Sequence, residues 1–218
     1  RVEGGGFSIR PVFGSGVNGK CNTHQTAARM SYASAGAFLS DSLRFSEPMG
    51  LSGSSGRVFC VDADACSIRS INLIEGYTQT IAGGGRGADE DIVGAVLSGF
   101  GDEEGSGNRA AMQYPTAAAN FETVDNMLVC DTLNHRVREV FTRDAKARVR
   151  TLVGGGVAGG GGAPGNLMPL KEVRLSAPQG VFYDRSRKIV LVSDTGNNRI
   201  LAIDKSSGTA VALSVTFD

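Results

Sequence analysis

The sequence predicts an all-β fold made of four-stranded antiparallel sheets that repeat along the chain. Three observations support this prediction. An apolar run that ends in Asp occurs three times, turn residues separate short apolar segments, and helical periodicity is weak throughout. The three runs are Val58-Phe59-Cys60-Val61-Asp62, Met127-Leu128-Val129-Cys130-Asp131 and Val190-Leu191-Val192-Ser193-Asp194. A repeat on this scale indicates one supersecondary unit copied in tandem rather than a single core with a unique centre.

Successive terminal Asp residues are 69 and 63 residues apart, and other sequence features recur at similar distances from them. A proline precedes each run (Pro48, Pro115 and Pro178), and a glycine triplet ends the first two units at 83–85 and 154–156. Each unit is therefore predicted to contain a proline-led strand, the strand that ends in Asp, a tight turn and two further strands. Four short strands that cannot bury both faces alone, repeated in tandem, are typical of β-propeller blades.

The repeat predicts an incomplete propeller of about three blades plus one N-terminal strand. The approximate blades are residues 43–85, 111–156 and 173–216, within a single propeller region that covers 1–218. The extra strand is expected at 7–14, and the insertions between blades at 15–42, 86–110 and 157–172. Because a closed wheel usually needs at least about four blades, self-association or a further part of the chain is expected to complete it.

The turn after each Asp has a polar pattern of its own. Asp and Asn side chains can bond nearby backbone groups, and Asn and Gly tolerate a left-handed backbone. Each Arg of the turn is expected to reach a carboxylate or a carbonyl at the blade edge. In the first copy the Asn and Arg are missing, so a looser turn is expected there. The predicted structural residues are Asp62, Asp131, Asn134, Arg136, Asp194, Asn197 and Arg199.

The second and third turns, Asp131-Thr132-Leu133-Asn134-His135-Arg136-Val137 and Asp194-Thr195-Gly196-Asn197-Asn198-Arg199-Ile200, resemble the NHL repeat. In that repeat a Pro-x-Gly segment and an apolar strand precede Asp-x-x-Asn-x-Arg-Ile/Val. Pro48-Met49-Gly50 and Pro178-Gln179-Gly180 match the Pro-x-Gly segment, whereas Pro115-Thr116-Ala117 departs at its third position. The resemblance covers residues 43 to about 215. It implies a β-propeller, commonly with six blades, that commonly serves as a binding platform for proteins or RNA.

Charge and hydropathy narrow the classes of partner. The 22 Lys and Arg residues are balanced by 22 Asp and Glu residues, so the chain lacks the overall basic charge expected of a general nucleic-acid binder. No apolar run is long enough to cross a bilayer and no signal core is visible at the start, which favours a cytoplasmic protein without a membrane partner. The local basic stretch on the second blade is the candidate partner-binding surface. Its residues are Arg143, Lys146, Arg148 and Arg150.

Three short motifs suggest ligand chemistry but fit it poorly. Residues 14–21 match the phosphate-binding pattern G-x-x-x-x-G-K, yet Cys21 replaces the Ser or Thr that would bind magnesium. Residues 154–159 satisfy G-x-G-x-x-G in a glycine-rich run that nearly forces the match. The stretch from Asp89 begins like a calcium loop but places Val93 and Phe100 where oxygen ligands are needed. We therefore predict no cofactor, with P-loop nucleotide binding at 14–21 as an alternative.

Histidines and cysteines give little support for catalysis. His24 and His135 are the only histidines, and His135 lies in a repeated turn, where a turn-filling role is expected. The four cysteines show no CxxC spacing, and Cys60 and Cys130 lie within the apolar runs, where buried inert thiols are expected. The sequence therefore predicts a non-enzymatic scaffold that presents its loops to a protein, or alternatively to RNA. The other alternative is part of a six-bladed, metal-dependent lyase-like or lactonase-like enzyme, as some propellers that resemble this family are.

Overall fold

A computed structural model describes residues 2–3, 6–7, 47–54, 56–72, 77–83, 101–143, 147–160 and 164–213. Two short N-terminal strands, β1 (Val2–Glu3) and β2 (Gly6–Phe7), pair with each other. The remaining described strands form three antiparallel sheets in chain order. Residues 8–14 of the predicted N-terminal strand and the predicted insertion 15–42 lie outside the described residues.

Sheet 1 has four strands that pair in the order in which they occur along the chain. They are β3 (Pro48–Ser54), β4 (Arg57–Asp62), β5 (Ser67–Asn72) and β6 (Tyr77–Gly83). Sheet 2 has five strands in the spatial order β7-β11-β10-β9-β8. They are β7 (Gly105–Ser106), β8 (Pro115–Phe121), β9 (Thr123–Asp131), β10 (Arg136–Phe141) and β11 (Arg148–Val153).

Sheet 3 repeats the order of sheet 2, as β12-β16-β15-β14-β13. Its strands are β12 (Leu167–Pro169), β13 (Gly180–Asp184), β14 (Ile189–Asp194), β15 (Arg199–Asp204) and β16 (Thr209–Ala212). Short 3-10 turns lie at Gly107–Arg109, Thr132–Asn134, Leu170–Glu172 and Thr195–Asn197. The predicted all-β class and its open, incomplete arrangement of antiparallel sheets are confirmed.

The strand number of sheets 2 and 3 differs from the prediction of four. Their fifth strands, β7 and β12, come from segments that the sequence assigns to insertions, and they pair with the outer strands β11 and β16. With two and three residues, these strands are too short to show alternating hydrophobicity. They cover backbone groups of β11 and β16 that would otherwise form an open sheet edge.

The edge strands β3, β8 and β13 of the three sheets lie side by side, because β8 contacts both β3 and β13. The Pro-x-Gly pattern has a steric reason at this position. A Cβ atom on Gly50 would lie 2.9 Å from backbone atoms of Thr116, Ala117 and Ala118. Glycine therefore permits the close approach of β3 and β8 that brings successive sheets face to face.

Strand β9 is buried on both faces, which explains its uninterrupted apolar run. Met127 and Val129 pack toward sheet 1, in a core that contains Phe59, Val61, Ile68 and Val140. Leu128 and Cys130 pack toward sheet 3, in a second core that contains Val190, Val192, Leu201 and Ile203. The molecule thus has one apolar core between each pair of neighbouring sheets, as stacked repeats require.

Gly154, in the second glycine triplet, is expected to tolerate no side chain. Its φ is +104°, and a Cβ atom there would overlap the carbonyl oxygen of His135. We expect Gly154→Ala to lower the free energy of unfolding by about 3 kcal/mol, measured by urea denaturation followed by circular dichroism. Gly165→Ala is the matched control, since Gly165 has φ +83° but nothing within 4 Å. Its cost should be only the backbone strain of about 1 kcal/mol, and equal losses in both variants would contradict the steric argument.

Candidate interaction surface

The Asp residues that end β4, β9 and β14 each hold the segment that leads into their sheet. In all three copies the Oδ1 atom of this Asp accepts a hydrogen bond of 2.7 Å from a backbone N–H. The donors are Glu47 for Asp62, Gln113 for Asp131 and Ser176 for Asp194. All three Asp residues are fully buried. The repeated Asp is thus a structural anchor within each sheet.

The Asn of the turn completes this anchor in sheets 2 and 3. Asn134 Nδ2 donates to both carboxylate oxygens of Asp131, at 3.0 and 2.9 Å, and Asn197 Nδ2 donates to Asp194 Oδ2 at 2.8 Å. The following residues, His135 and Asn198, have φ of 54° and 52°. A left-handed residue therefore closes each turn, and the Asn side chain holds it against the buried carboxylate.

His135 joins sheet 2 to sheet 3 rather than standing in an open cleft. Its Nδ1 accepts a hydrogen bond of 3.0 Å from the backbone N–H of Ala177. In sheet 1 the corresponding left-handed residue is Cys66, with φ 49°, at the end of a turn closed by a bond from Cys66 N to Ala63 O. The histidine therefore has a structural partner in the segment that leads into sheet 3.

The Arg residues of the turn have different partners in the two sheets. Arg199 Nε donates to Asp194 at 2.8 Å, whereas Arg136 donates to Asp102 at 2.7 Å and to Thr151 at 3.2 Å. In sheet 2 the bond to the anchoring carboxylate comes instead from Arg138 Nε, 2.8 Å from Asp131 Oδ2. Sequence reasoning missed Arg138. A signal was present, because Arg69 follows Asp62 by the same seven residues and is also buried.

The buried Arg138 side chain links the anchor to the segment before sheet 2. Its Nη2 contacts Asp102 Oδ1, and its Nη1 donates to Thr151 at 2.8 Å. Burial raises the pKa of Asp131, while the Arg138 guanidinium, the Gln113 N–H and the Asn134 amide act in the opposite direction. These bonds join the turn after β9, the strands β10 and β11 and the segment before sheet 2, so the arrangement stabilises sheet 2.

Two of the predicted partner-binding cations, Arg148 and Arg150, lie beside Phe141 on the paired strands β10 and β11, and Arg143 follows β10 two residues after Phe141. The basic strip, as we call it, consists of Phe141, Arg143, Arg148 and Arg150. The guanidinium of Arg148 lies 5.3 Å and that of Arg150 4.7 Å from the centre of the Phe141 ring. Arg143 and Arg148 are exposed, and no ion pair joins either of them to a described carboxylate. Lys146, the fourth predicted cation, lies outside the described residues.

Arg150 differs from the other two arginines because it has a buried carboxylate partner. Its Nη2 and Nε lie 2.7 and 3.0 Å from Glu139 Oε2. Lys205 of sheet 3 also reaches Glu139, at 3.1 Å, and lies 4.6 Å above the ring of Phe121. The Glu139 carboxylate thus fixes Arg150 beside Phe141 and ties the strip to the junction between sheets 2 and 3.

The cysteines of the described part are free thiols. Burial raises the pKa of Cys60 and of Cys130 to about 12 in each case, and it also raises the pKa of Cys66. A thiol with such a pKa is almost entirely protonated at neutral pH and is a poor nucleophile. Cys21 lies outside the described residues.

The ligand motifs of the sequence receive no support from what the structure describes. The predicted P-loop 14–21, the acidic stretch from Asp89 to Phe100, and His24 lie outside the described residues. Gly154 and Gly156 lie at the end of β11, where added side chains would meet His135 and Arg136. Among the described residues, no group of three or more His, Cys, Asp or Glu could hold a metal ion. The same residues include no helix with the length and apolarity needed to cross a membrane.

Comparison with known proteins agrees with this geometry. A scan against protein-family models finds no match. NHL repeat-containing protein 2 of Bos taurus is 26% identical over 176 residues, which cover 78% of this chain and 22% of the relative. The protein of the same name from Gallus gallus is 28% identical over 167 residues, or 73% of this chain and 21% of the relative. The matched region therefore spans about a fifth of the length of these relatives.

A solved structure shares the fold. An auxiliary nutrient binding protein from Bacteroides ovatus superposes with a TM-score of 0.54 and 15% sequence identity, covering 81% of this chain and 40% of that chain. Sheets of this kind, stacked through their faces with their first strands adjacent, define a β-propeller-type repeat protein. The predicted resemblance is confirmed by these two relatives, each of which is an NHL repeat-containing protein.

Proposed function

We propose that this chain is a non-enzymatic scaffold that binds an acidic segment of a partner protein at the basic strip. The observation that carries the proposal is the pair of guanidinium groups 5.3 and 4.7 Å from the ring of Phe141. An aromatic ring flanked by arginines offers an apolar surface together with several N–H donors in planar arrays. Such arrays match carboxylates, and clusters of Arg with aromatic side chains often dominate protein interfaces.

The backbone under the strip is held in place before any partner arrives. Val140 of β10 and Val149 of β11 alternate with the strip residues and are buried in the core between sheets 1 and 2. The two strands pair in register, with Phe141 opposite Arg148 and Glu139 opposite Arg150. Because neither the two paired strands nor Arg150 has to be ordered on binding, the complex would lose less entropy here than on a flexible loop.

The electrostatic balance favours an acidic peptide over RNA. Glu139 offsets the charge of Arg150, whereas Arg143 and Arg148 form no ion pair with a carboxylate in the part of the chain that the structure describes, so they supply the positive charge of the strip there. The whole chain is neutral, with 22 basic and 22 acidic residues, and provides no broad field to hold a phosphate backbone. One ring between two guanidinium groups also lacks the row of stacking aromatics used for single-stranded RNA.

Charge reversal at the strip tests the proposal. We expect Arg143→Glu combined with Arg148→Glu to weaken binding of a fluorescein-labelled, glutamate-rich peptide about tenfold at low salt, measured by anisotropy. The difference between the variant and the original chain should shrink at high salt, because exposed charges are screened. Arg150 is left in place, since its removal would strip Glu139 of a partner.

The matched control reverses two exposed cations elsewhere, with Arg185→Glu and Lys188→Glu on the turn between β13 and β14. It changes the net charge by the same amount and should leave peptide binding within about twofold of the original. Equal losses in the two variants, or none in either, would count against the strip. Tighter binding of a single-stranded RNA oligonucleotide than of the peptide, lost in the strip variant alone, would assign the strip to RNA.

A further inference from the structure

Ser106 lies on the same face of sheet 2 as the basic strip, directly beside Arg148. The two residues are paired across β7 and β11, and Arg148 is paired with Phe141 across β11 and β10. Residues paired across antiparallel strands point to the same face, so Ser106, Arg148 and Phe141 form one row. The basic strip therefore continues onto β7, where the next side chain is a hydroxyl.

The backbone geometry brings the side chains of Ser106 and Arg148 close together. The N–H of Gly107 donates to the carbonyl of Ala147 at 2.7 Å, which makes these two residues a hydrogen-bonded pair of the ladder. The two kinds of pair alternate along an antiparallel ladder, so Ser106 and Arg148 form a non-hydrogen-bonded pair. The Cα atoms of such a pair lie about 4.5 Å apart, which is closer than in the other kind. An anion on the Ser106 oxygen would therefore lie within reach of the Arg148 guanidinium.

Among the described residues, neither side chain of this pair has a polar partner to give up. Both are exposed. Ser106 precedes the 3-10 turn at 107–109 without a side-chain hydrogen bond to it, and Arg148 forms no ion pair with a described carboxylate. Ser186, another exposed serine, differs because its hydroxyl donates to Asp184 at 2.6 Å. A phosphate on Ser186 would meet a carboxylate, whereas a phosphate on Ser106 would meet a guanidinium.

The chain around Ser106 suits a kinase that selects acidic substrates. Asp102, Glu103 and Glu104 precede the serine, and kinases read such charge patterns through oppositely charged grooves. The backbone of Ser106 is extended, with φ −113° and ψ 134°, and β7 contains only two residues. Few backbone hydrogen bonds therefore hold the serine in the sheet, and its release into a kinase groove requires only a local opening.

We propose that Ser106 is a phosphorylation site whose phosphate binds Arg148 and closes the basic strip to its acidic partner. In the reaction the Ser106 oxygen bonds to the γ-phosphorus of a nucleoside triphosphate, and the bond from that phosphorus to the bridging oxygen breaks. The hydroxyl proton passes to the base of the kinase, and a nucleoside diphosphate leaves. This regulation rests on the proposed function of the strip.

The phosphate would act on the strip in two ways. It brings a charge of about −1.5 to −2 and three acceptor oxygens, and a guanidinium binds phosphate through paired N–H donors. The charge of Arg148 would thus be neutralised, and negative charge would be added beside Phe141. Arg150 already pairs with Glu139, so Arg143 would be the one described cation of the strip without an anionic partner. An acidic peptide would then meet a strip of the wrong charge.

Phosphate placed at a defined position tests the proposal. We compare the unmodified chain with a chain in which Ser106 is incorporated as phosphoserine by codon reassignment. Binding of the fluorescein-labelled, glutamate-rich peptide should weaken about tenfold at low salt. The matched control carries the phosphate on Ser186, on the turn between β13 and β14, and should bind within about twofold of the unmodified chain. Equal effects of the two phosphates, or no effect of the phosphate on Ser106, would overturn the proposal.

Phosphorus NMR distinguishes failure of this proposal from failure of the proposed function. The second pKa of phosphorylated Ser106, read from the 31P chemical shift, should be about 0.5 lower than in the same chain with Arg148→Gln, because the guanidinium stabilises the dianion. This measurement needs no peptide. If the peptide does not bind the unmodified chain but the pKa is lowered, the proposed function is wrong and the contact between the phosphate and Arg148 is supported. Equal pKa values in the two chains would overturn the proposal even if the peptide binds.

A kinase assay on the folded chain tests whether Ser106 is accessible. A recombinant casein kinase that selects acidic residues before its serine should, with Mg-ATP, phosphorylate Ser106, as located by mass spectrometry. Ser106→Ala should remove that phosphate, and an unchanged circular dichroism spectrum verifies that this variant folds. Phosphorylation of Ser106 only after denaturation, or its absence while other serines are modified, would overturn the proposal.

Discussion

Asp131→Ala is expected to lower the free energy of unfolding by about 3 kcal/mol, because it removes the only fully buried carboxylate that Arg138 contacts among the described residues and leaves the Asp102 contact on Nη2 to hold the cation. Arg138 is fully buried, with 0% of its side chain exposed, and would lose the carboxylate 2.8 Å from its Nε. The N–H of Gln113 and the amide of Asn134 would lose their acceptor in the same step. Denaturation in guanidinium chloride, followed by circular dichroism, measures the loss.

The corresponding change in sheet 3 is the matched control for this prediction. Asp194→Ala removes the same kind of acceptor, but 12% of the Arg199 side chain is exposed and its Nη2 also donates to the carbonyl of Arg174. We expect a smaller loss of about 2 kcal/mol, because water reaches Arg199 and because Asn197 gives one bond to Asp194 where Asn134 gives two to Asp131. A loss in Asp194→Ala equal to or above that in Asp131→Ala would contradict the role given to the burial of Arg138.

Phe121→Ala is expected to cost about 3–5 kcal/mol, since it empties a buried site between sheets 2 and 3. The Phe121 ring makes an edge-to-face contact with Tyr183, with ring centres 4.8 Å apart and planes inclined by 76°. Lys205 Nζ lies 4.6 Å from the same ring. The loss should appear in urea denaturation, and amide exchange should accelerate more in β14 and β15 than in sheet 1, which lies in the other core.

Phe121→Leu separates the effect of side-chain volume from the effect of the aromatic ring contact. It keeps most of the apolar volume, so its cost should stay below about 1.5 kcal/mol. A double-mutant cycle with Tyr183→Leu should return a coupling of about 0.5–1.5 kcal/mol for the edge-to-face pair. If Phe121→Leu cost as much as Phe121→Ala, volume would not be the cause. If the cycle returned no coupling, the ring contact would add nothing beyond burial.

The repeated turn was readable from the sequence because its chemistry is local. Asp131 and Asn134 are three residues apart, and a side-chain bond over such a distance depends only on the turn between them. The apolar run of β9 was readable for a related reason. A strand buried on both faces has no polar side to show, so its sequence is apolar throughout.

The partners of the cations were not readable, because they are distant along the chain. Arg136 is 34 residues from Asp102, and Lys205 is 66 residues from Glu139. The pattern of charges in the sequence does not distinguish an arginine without a carboxylate partner from one that forms an ion pair with a residue on the neighbouring strand. Arg143 and Arg150 therefore look alike in the sequence, although Arg150 pairs with the buried Glu139. The short strands β7 and β12 were missed because pairing with an outer strand, not their own composition, makes them strands.

The amino-acid sequence by itself determined the repeating unit, its all-β character and the turn that closes each pair of strands. These features follow from the alternation of side chains along a strand and from contacts between residues a few positions apart, and both are visible in the sequence. Only the tertiary structure decided which arginine anchors Asp131, which cation of the basic strip has a buried carboxylate partner, and how the strands of neighbouring sheets pack. Those outcomes depend on what one sheet places against the next, and packing between sheets joins residues that no local pattern connects.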